Sequence, residues 1–325
     1  MLDPIAASSP DASLVLYDEP FAAIVRAAGE RLEATLARET PALATRVLPW
    51  LASLSRSGRL ADYYMHPRRF PMLLIPWWAV EGTASRDDLG FHEDLAYSTM
   101  SGYCFVRLLD DLVDQRGEPG LDLLPAAGVF HLEFQSPYQR YFPGDHPFWD
   151  LFRSRWLRAA DATVPASPDR SPGLDLEQRA ADTLGPALIP LAAACHHAGR
   201  PALFDRWRPV VLALARLEQF MDDLLDWQHD EERHQPNLVL EEAARRARTG
   251  ENATAWVVRQ GYVWALDTAA ERIEMVAAEA GPLASGGLRR FLDVRRSVVN
   301  DFRSATAPGL RQLAELGRLF EPPPG

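Results

Sequence analysis

A chain of 325 residues, 47% hydrophobic, 24% charged and 10% aromatic, has ample apolar surface for a large core. Its formal net charge of −11 excludes nucleic acid and anionic membranes as partners, because neither neutralises an acidic surface. All 34 basic residues are arginine, so lysine-dependent chemistry is excluded too, and the two isolated cysteines, Cys104 and Cys195, fit buried thiols of a reduced, cytoplasmic protein.

The N-terminal MLDPIAASSPDAS carries acid and proline where a signal peptide would carry a basic segment and an apolar run. Residues 1–19 therefore read as a flexible arm. From Phe21 to about Leu54 the apolar spacing (Phe21, Ile24, Val25, Ala28, Leu32, Leu36) is helical. Prolines break 66–78 into short pieces, with Trp77 and Trp78 as core, and the longest apolar run, Met72 to Val80, is too short to span a bilayer. A long helical pattern from Asp88 to about Asp114 stops at QRGEPG. Residues 121–150 are rich in Pro, Phe and Tyr with a weaker helical signal, and 162–173 reads as a loop. Leu176 to Ala198 predicts a helix kinked near Pro186 and Pro190.

The next stretch, Leu203 to Asp230, carries apolar residues at Leu203, Trp207, Val210, Leu214, Leu217, Met221 and Leu224, the period of a helix with one buried stripe. The polar loop EERHQPN follows, then helices at about 238–248, 252–280 and 286–304, and a tail at 321–325. Nothing alternates at period two. The expectation is an all-α, single-domain bundle of roughly ten helices spanning 20–320 around one core.

Two clusters carry chemistry. Asp110-Asp111-Leu112-Val113-Asp114 ends the first long helix, and Met100, Tyr103, Val106 and Arg107 lie inward along the same face. In the second, Asp222, Asp226 and Asp230 stay within about 80° of one another and climb about 6 Å per step, with Gln219 one turn inward and Asp223 off that face. Like charges so close repel, which points to a missing hard divalent cation on oxygen ligands. One DDxxD in an acid-rich chain is ordinarily a solvated helix end; two, each closing a long apolar helix, are not. Packed side by side, such helices would make a pocket with an acidic rim holding Mg²⁺ and an apolar floor, which describes a prenyl diphosphate site.

The residues also resemble a known superfamily, the class I isoprenoid synthases. Tyr103-Cys-Phe-Val-Arg107-Leu-Leu-Asp110-Asp111-Leu-Val-Asp114 is similar to the Y-x-x-x-R-x-x-D-D-x-x-D of squalene and phytoene synthases. Gln219-Phe-Met-Asp222-Asp223-Leu-Leu-Asp226-Trp-Gln-His-Asp230 resembles the Q-x-x-D-D-x-x-D-x-x-x-D of trans-prenyltransferases, and its acids fall where terpene cyclases place a second metal triad. The resemblance implies the class I terpenoid synthase fold, a helical bundle around a deep apolar cavity, with three Mg²⁺ ions (Mn²⁺ as a substitute) bound with the diphosphate and a homodimer as the family habit. Asp110, Asp114 and Asp111 would hold metal on one wall, and Asp222, Asp226 and Asp230 on the other.

The chain departs from each branch. Elongating prenyltransferases carry a lysine- and arginine-rich second diphosphate site and an Arg-Arg-Gly; here no lysine exists and only Arg116-Gly117 follows the first motif. Squalene-type synthases carry G-R-x-Y-L-P where Arg233-His234-Gln235-Pro236-Asn237 stands, and cyclases have Asn, Ser or Thr, and Glu at the triad. With the second diphosphate's recognition site missing, the favoured reading is a one-substrate terpene synthase. The alternatives are condensation of two prenyl diphosphates and a non-catalytic isoprenoid binder. Arg107 either contacts diphosphate or pairs with an acid. Arg116 and Arg233 either meet phosphate from loops or are solvated. Gln219 bonds metal-bound water or a neighbouring helix, and Tyr103 and Met100 line the cavity or pack. His196-His197 reads as structural.

Overall fold

The computed structural model describes residues 16–114, 120–162 and 182–319, and the expected loop at 162–173 beyond its first residue, the start of the 176–198 segment and the tail at 321–325 lie outside them. Twelve helices and no strand occur among the described residues, so the chain is all-α. None of these helices is long and apolar enough to cross a membrane. The helices are α1 (Glu19–Glu39), α2 (Pro41–Ser53), α3 (Leu60–Met65), α4 (Leu74–Ala79), α5 (Leu89–Asp114), α6 (Leu124–Gln135) and α7 (Phe148–Ala162). They continue with α8 (Leu188–His197), α9 (Ala202–Arg233), α10 (Leu238–Arg246), α11 (Ala253–Trp256 through a π-turn Val257–Gly261 to Tyr262–Ala280) and α12 (Gly286–Leu319). The chain divides into two compact units, residues 1–155 with 186–205, and 156–185 with 206–325.

The first unit is organised around α5. α1 and α6 pack along it, α2 and α3 pack on α1, and α4 packs on α8. From Asp94 to Gly102 every residue of α5 is buried, so its polar side chains need internal partners. Ser98 donates to the Phe134 carbonyl (2.6 Å), and Thr99 and Ser101 donate back to Leu95 and Tyr97 (2.7 and 2.8 Å). The Asp94 carboxylate accepts from Arg31 (2.7 Å), Arg140 (3.0 Å) and Tyr141 (2.8 Å). A β-carbon at Gly102 would stand 2.7 Å from the Phe134 ring, so glycine is what lets α6 approach so closely.

The predicted 21–54 helix is two helices. Pro41 disfavours helical backbone at Thr40, whose hydroxyl turns back to the Leu36 carbonyl (2.9 Å). Asp18 caps α1 and Tyr17, buried, donates to the Tyr64 carbonyl (2.9 Å), so the described end of the expected 1–19 arm is fixed to the unit. Trp77 and Trp78 are core, and Cys104 and Cys195 are buried thiols, as expected. Pro186 and Pro190 do not kink a helix. They stand at the entrance of α8, in the 3-10 turn Gly185–Ala187 and the first helical turn, where a proline removes no intrahelical hydrogen bond.

The second unit is built on α9. Its predicted stripe is buried at Trp207, Val210, Leu214, Leu217, Met221 and Leu224, while Leu203 is half-buried. Glu218 accepts from both Nε and Nη2 of Arg295 on α12 (2.8 Å each), a bidentate pair with 13% and 4% of the side chains exposed. α11 packs on α12, and α10 on the first turns of α11. α9 ends at His234, whose φ of 55° is the left-handed conformation that stops helices, and Asn237 starts α10 by accepting from Val239 and Leu240.

Candidate functional site

The sequence candidates form two sets, one in each unit. At the C-terminal end of α5, consecutive residues project about 100° apart, so one acid of a pair faces out when the other faces in. Asp110 is exposed and Asp111 is 5% exposed. Asp111 Oδ2 accepts from Trp50 Nε1 on α2 (3.2 Å), and its Oδ1 lies 2.9 Å from Arg107 Nη2, one turn back. Of the two roles open to Arg107, this structure shows the acid pair. Tyr103, half-buried, shares a hydrogen bond with Tyr63 of α3, and Met100 is wholly buried with its carbonyl accepting from Tyr64 (3.1 Å). Asp114 is the last residue of α5, and Arg116 lies outside the described residues.

At the C-terminal end of α9, Asp222 and Asp226 are exposed one turn apart, while Asp223 and Asp230 are buried. Asp223 accepts from Gln219 Nε2 (2.8 Å) and from the Leu238 amide (2.9 Å), so Gln219 bonds within its own helix. Asn237, 1% exposed, spends both Nδ2 protons on the Asp223 carbonyl and on Asp230 Oδ2 (2.8 Å each). No fully buried side-chain atom of this knot is left without a hydrogen bond, and the knot locks the turn between α9 and α10. The same helical drift that groups 222 and 226 carries residue 230 about 80° round, to the inner side. Asp230 therefore stands apart from the exposed pair. Arg233 is exposed in the last turn of α9.

Among the described residues no three His, Cys, Asp or Glu side chains gather closely enough to hold a metal by themselves. Asp110, Asp222 and Asp226 nevertheless have exposed carboxylate side chains, the donor type that hard cations accept one or two at a time alongside water and phosphate oxygens. The histidine pair is structural: His197 stacks on Phe91 with ring centroids 3.8 Å apart and bonds Asp88 (3.0 Å), and His196 faces His146. Sequence reasoning missed Trp50, Tyr63 and Asn237. Only Asn237 left a local signal, an Asn directly before an apolar, acid-bearing helix.

Burial pushes the Asp223 carboxyl up to about 6, against the Leu238 amide and Gln219, which favour its ionised form. Between pH 3.8 and about 6 the native state therefore keeps a proton that the unfolded chain releases, and this contribution to stability is lost as pH rises through that window. His92, buried and held down to about 4, titrates over an overlapping window with the opposite sign. The expected result is a difference profile. Urea midpoints of Asp223→Asn relative to wild type should rise by the equivalent of on the order of 2 kcal/mol between pH 4 and pH 7; a flat difference would show that Asp223 ionises normally in the fold.

No protein-family model matches the chain, and no curated protein matches it.

Proposed function

We propose that the chain is a magnesium-dependent enzyme of the class I terpene synthase type, ionising one allylic prenyl diphosphate by loss of diphosphate. The observation that carries this reading is a shared build at the ends of α5 and α9. In each, a residue four positions earlier binds the second acid of a pair and holds it inside, Arg107 on Asp111 and Gln219 on Asp223, while the side chain of the first acid is exposed. A solvated run of acids has no reason to bury one carboxylate in two places by the same spacing, since burial of a charge must be offset by partners. The exposed Asp110, Asp222 and Asp226 would hold the ions, with Asp114 closing the first motif.

Bound with the diphosphate, Mg²⁺ would supply positive charge where negative charge develops on the leaving group. The chain's own share is to orient the substrate through arginine and carboxylate oxygens, and to present aromatic faces such as Tyr103 to an allylic cation away from water. The absence of any lysine leaves the second diphosphate of a condensing enzyme without its usual cation, which favours one substrate. The same reading takes the enzyme to be a cytoplasmic homodimer.

Incubation with Mg²⁺, or Mn²⁺ in its place, and C10, C15 or C20 prenyl diphosphates should release a terpene hydrocarbon or alcohol detectable by gas chromatography. A product with the summed carbon count would replace this reading by condensation. No product from any of the three would leave only isoprenoid binding.

A further inference from the structure

Where α11 turns back as α12, the second unit holds a cavity of about 280 Å³. The turn beside it is fixed. It runs through a 3-10 segment, Gly281–Leu283, and a left-handed residue, Ala284 (φ 53°), and Arg206 Nη2 of α9 donates to the Pro282 carbonyl (2.7 Å). The walls are apolar, Ala277 and Ala280 from α11 and Leu288 and Leu292 from α12. On the α11 side these are single methyls, too short to fill the space. The polar groups are few. Ser285, 6% exposed, accepts from the Leu288 amide (3.3 Å), and its own hydroxyl proton meets no acceptor among the described residues. Arg296 and Asp293 line the cavity as an ion pair (2.7 Å), and Glu274 accepts from Arg296 Nε (2.7 Å). Arg289 lines it too, and its guanidinium makes no hydrogen bond or ion pair among the described residues.

Of the three charges on the lining, Asp293 and Arg296 neutralise each other, which leaves one cation and one hydroxyl donor beside an apolar wall. An empty apolar space forfeits dispersion contacts, and a buried donor without an acceptor is costly. One kind of molecule meets both needs, a short hydrocarbon body with a singly charged acceptor head. We infer that this cavity binds a medium-chain monocarboxylate, its alkyl chain along Leu288 and Leu292 and its carboxylate on Arg289 and Ser285. The size agrees. A volume of about 280 Å³ is that of about nine waters in the liquid, hence of an acid of about eight carbons, and lies just under the roughly 300–1,000 Å³ of small-molecule sites. A carboxylate matches the guanidinium fork, whereas the second charge of a phosphate would meet Asp293 with no second uncommitted cation. No lining residue belongs to either acidic motif, so the site stands or falls independently of the proposed function.

The test is titration calorimetry of the full chain with octanoate, octan-1-ol and octyl phosphate. Octanoate should bind at one equivalent with Kd on the order of 0.1–1 mM, the range open to a ligand of about ten non-hydrogen atoms. Arg289→Gln alters an exposed side chain and should weaken octanoate about tenfold, the worth of a hydrogen bond between charged groups, while leaving octan-1-ol unchanged. Ala277→Leu fills the apolar end from a half-buried position and should weaken the acid and the alcohol alike, by about tenfold or more. A folding defect in that variant leaves Arg289→Gln informative. No octanoate binding to the wild type up to about 10 mM overturns the site. So does octanoate affinity within twofold of wild type in either folded variant. Octyl phosphate binding about tenfold tighter than octanoate overturns the carboxylate as the ligand class.

Discussion

Asp110→Asn and Asp222→Asn should each lower product formation by two to three orders of magnitude, the loss typical when one preorganised charge contact to a transition state is removed. Both side chains are exposed, and surface substitutions of this kind usually change stability by about 0.5 kcal/mol or less. Relief of repulsion between Asp222 and Asp226, one turn apart, would give a small gain in stability. Their sequence neighbours should behave in the opposite way. Asp111→Ala strands the Trp50 N–H and the half-buried Arg107, and Asp223→Ala strands the Leu238 amide at the start of α10. Each should cost about 2–3 kcal/mol in urea unfolding before any effect on catalysis is counted. The pairing of a folded, inactive variant with a destabilised one at adjacent positions is the signature of acids divided between metal and scaffold. If Asp110→Asn and Asp222→Asn retain full product formation in an active wild-type background, those carboxylates hold no ion and the catalytic reading of the exposed acids fails.

That division between neighbours was half legible. The buried stripe of α9 follows from period 3.6 alone, and so does the statement that Asp222 and Asp223 face different ways. The direction each acid takes needed partners that periodicity does not see. Trp50, 61 residues before Asp111, and Tyr63, 40 residues before Tyr103, belong to other helices, and nothing local announces them. Helical spacing alone groups Asp230 with Asp222 and Asp226. The left-handed turn at His234 then brings Asn237 back to claim it. The prolines at 186 and 190 carry a related lesson: a proline marks a boundary as readily as a kink, and the tertiary position of α8 decides which. The site's inner contacts come from non-local packing, which composition and periodicity do not report.

Gly261→Ala should destabilise the second unit by about 3 kcal/mol, toward the upper end of what one added methyl does in a packed core. The reason lies outside helical periodicity. Between Val257 and Gly261 the backbone of α11 widens into a π-turn, and the Trp256 ring lies against Gly261, five residues on. A β-carbon there would stand 2.3 Å from Trp256 Cζ3 and 2.5 Å from Cε3. The indole is 0% exposed and is packed near Trp264, with centroids 5.9 Å apart, so it has no free volume to retreat into. Relief requires moving the backbone of α11 or the aromatic cluster that also meets Phe220 of α9. Glycine is therefore what permits the wide turn, and a 3.6-residue pattern scores it only as a weak helix former. A double-mutant cycle separates this clash from a plain loss of flexibility. Trp256→Leu alone should be costly through the cavity it leaves, yet in that background Gly261→Ala should cost less than about 1 kcal/mol, because the colliding ring is gone. Additive costs in the cycle would show that Gly261 is required for its backbone alone, and that the indole above it yields.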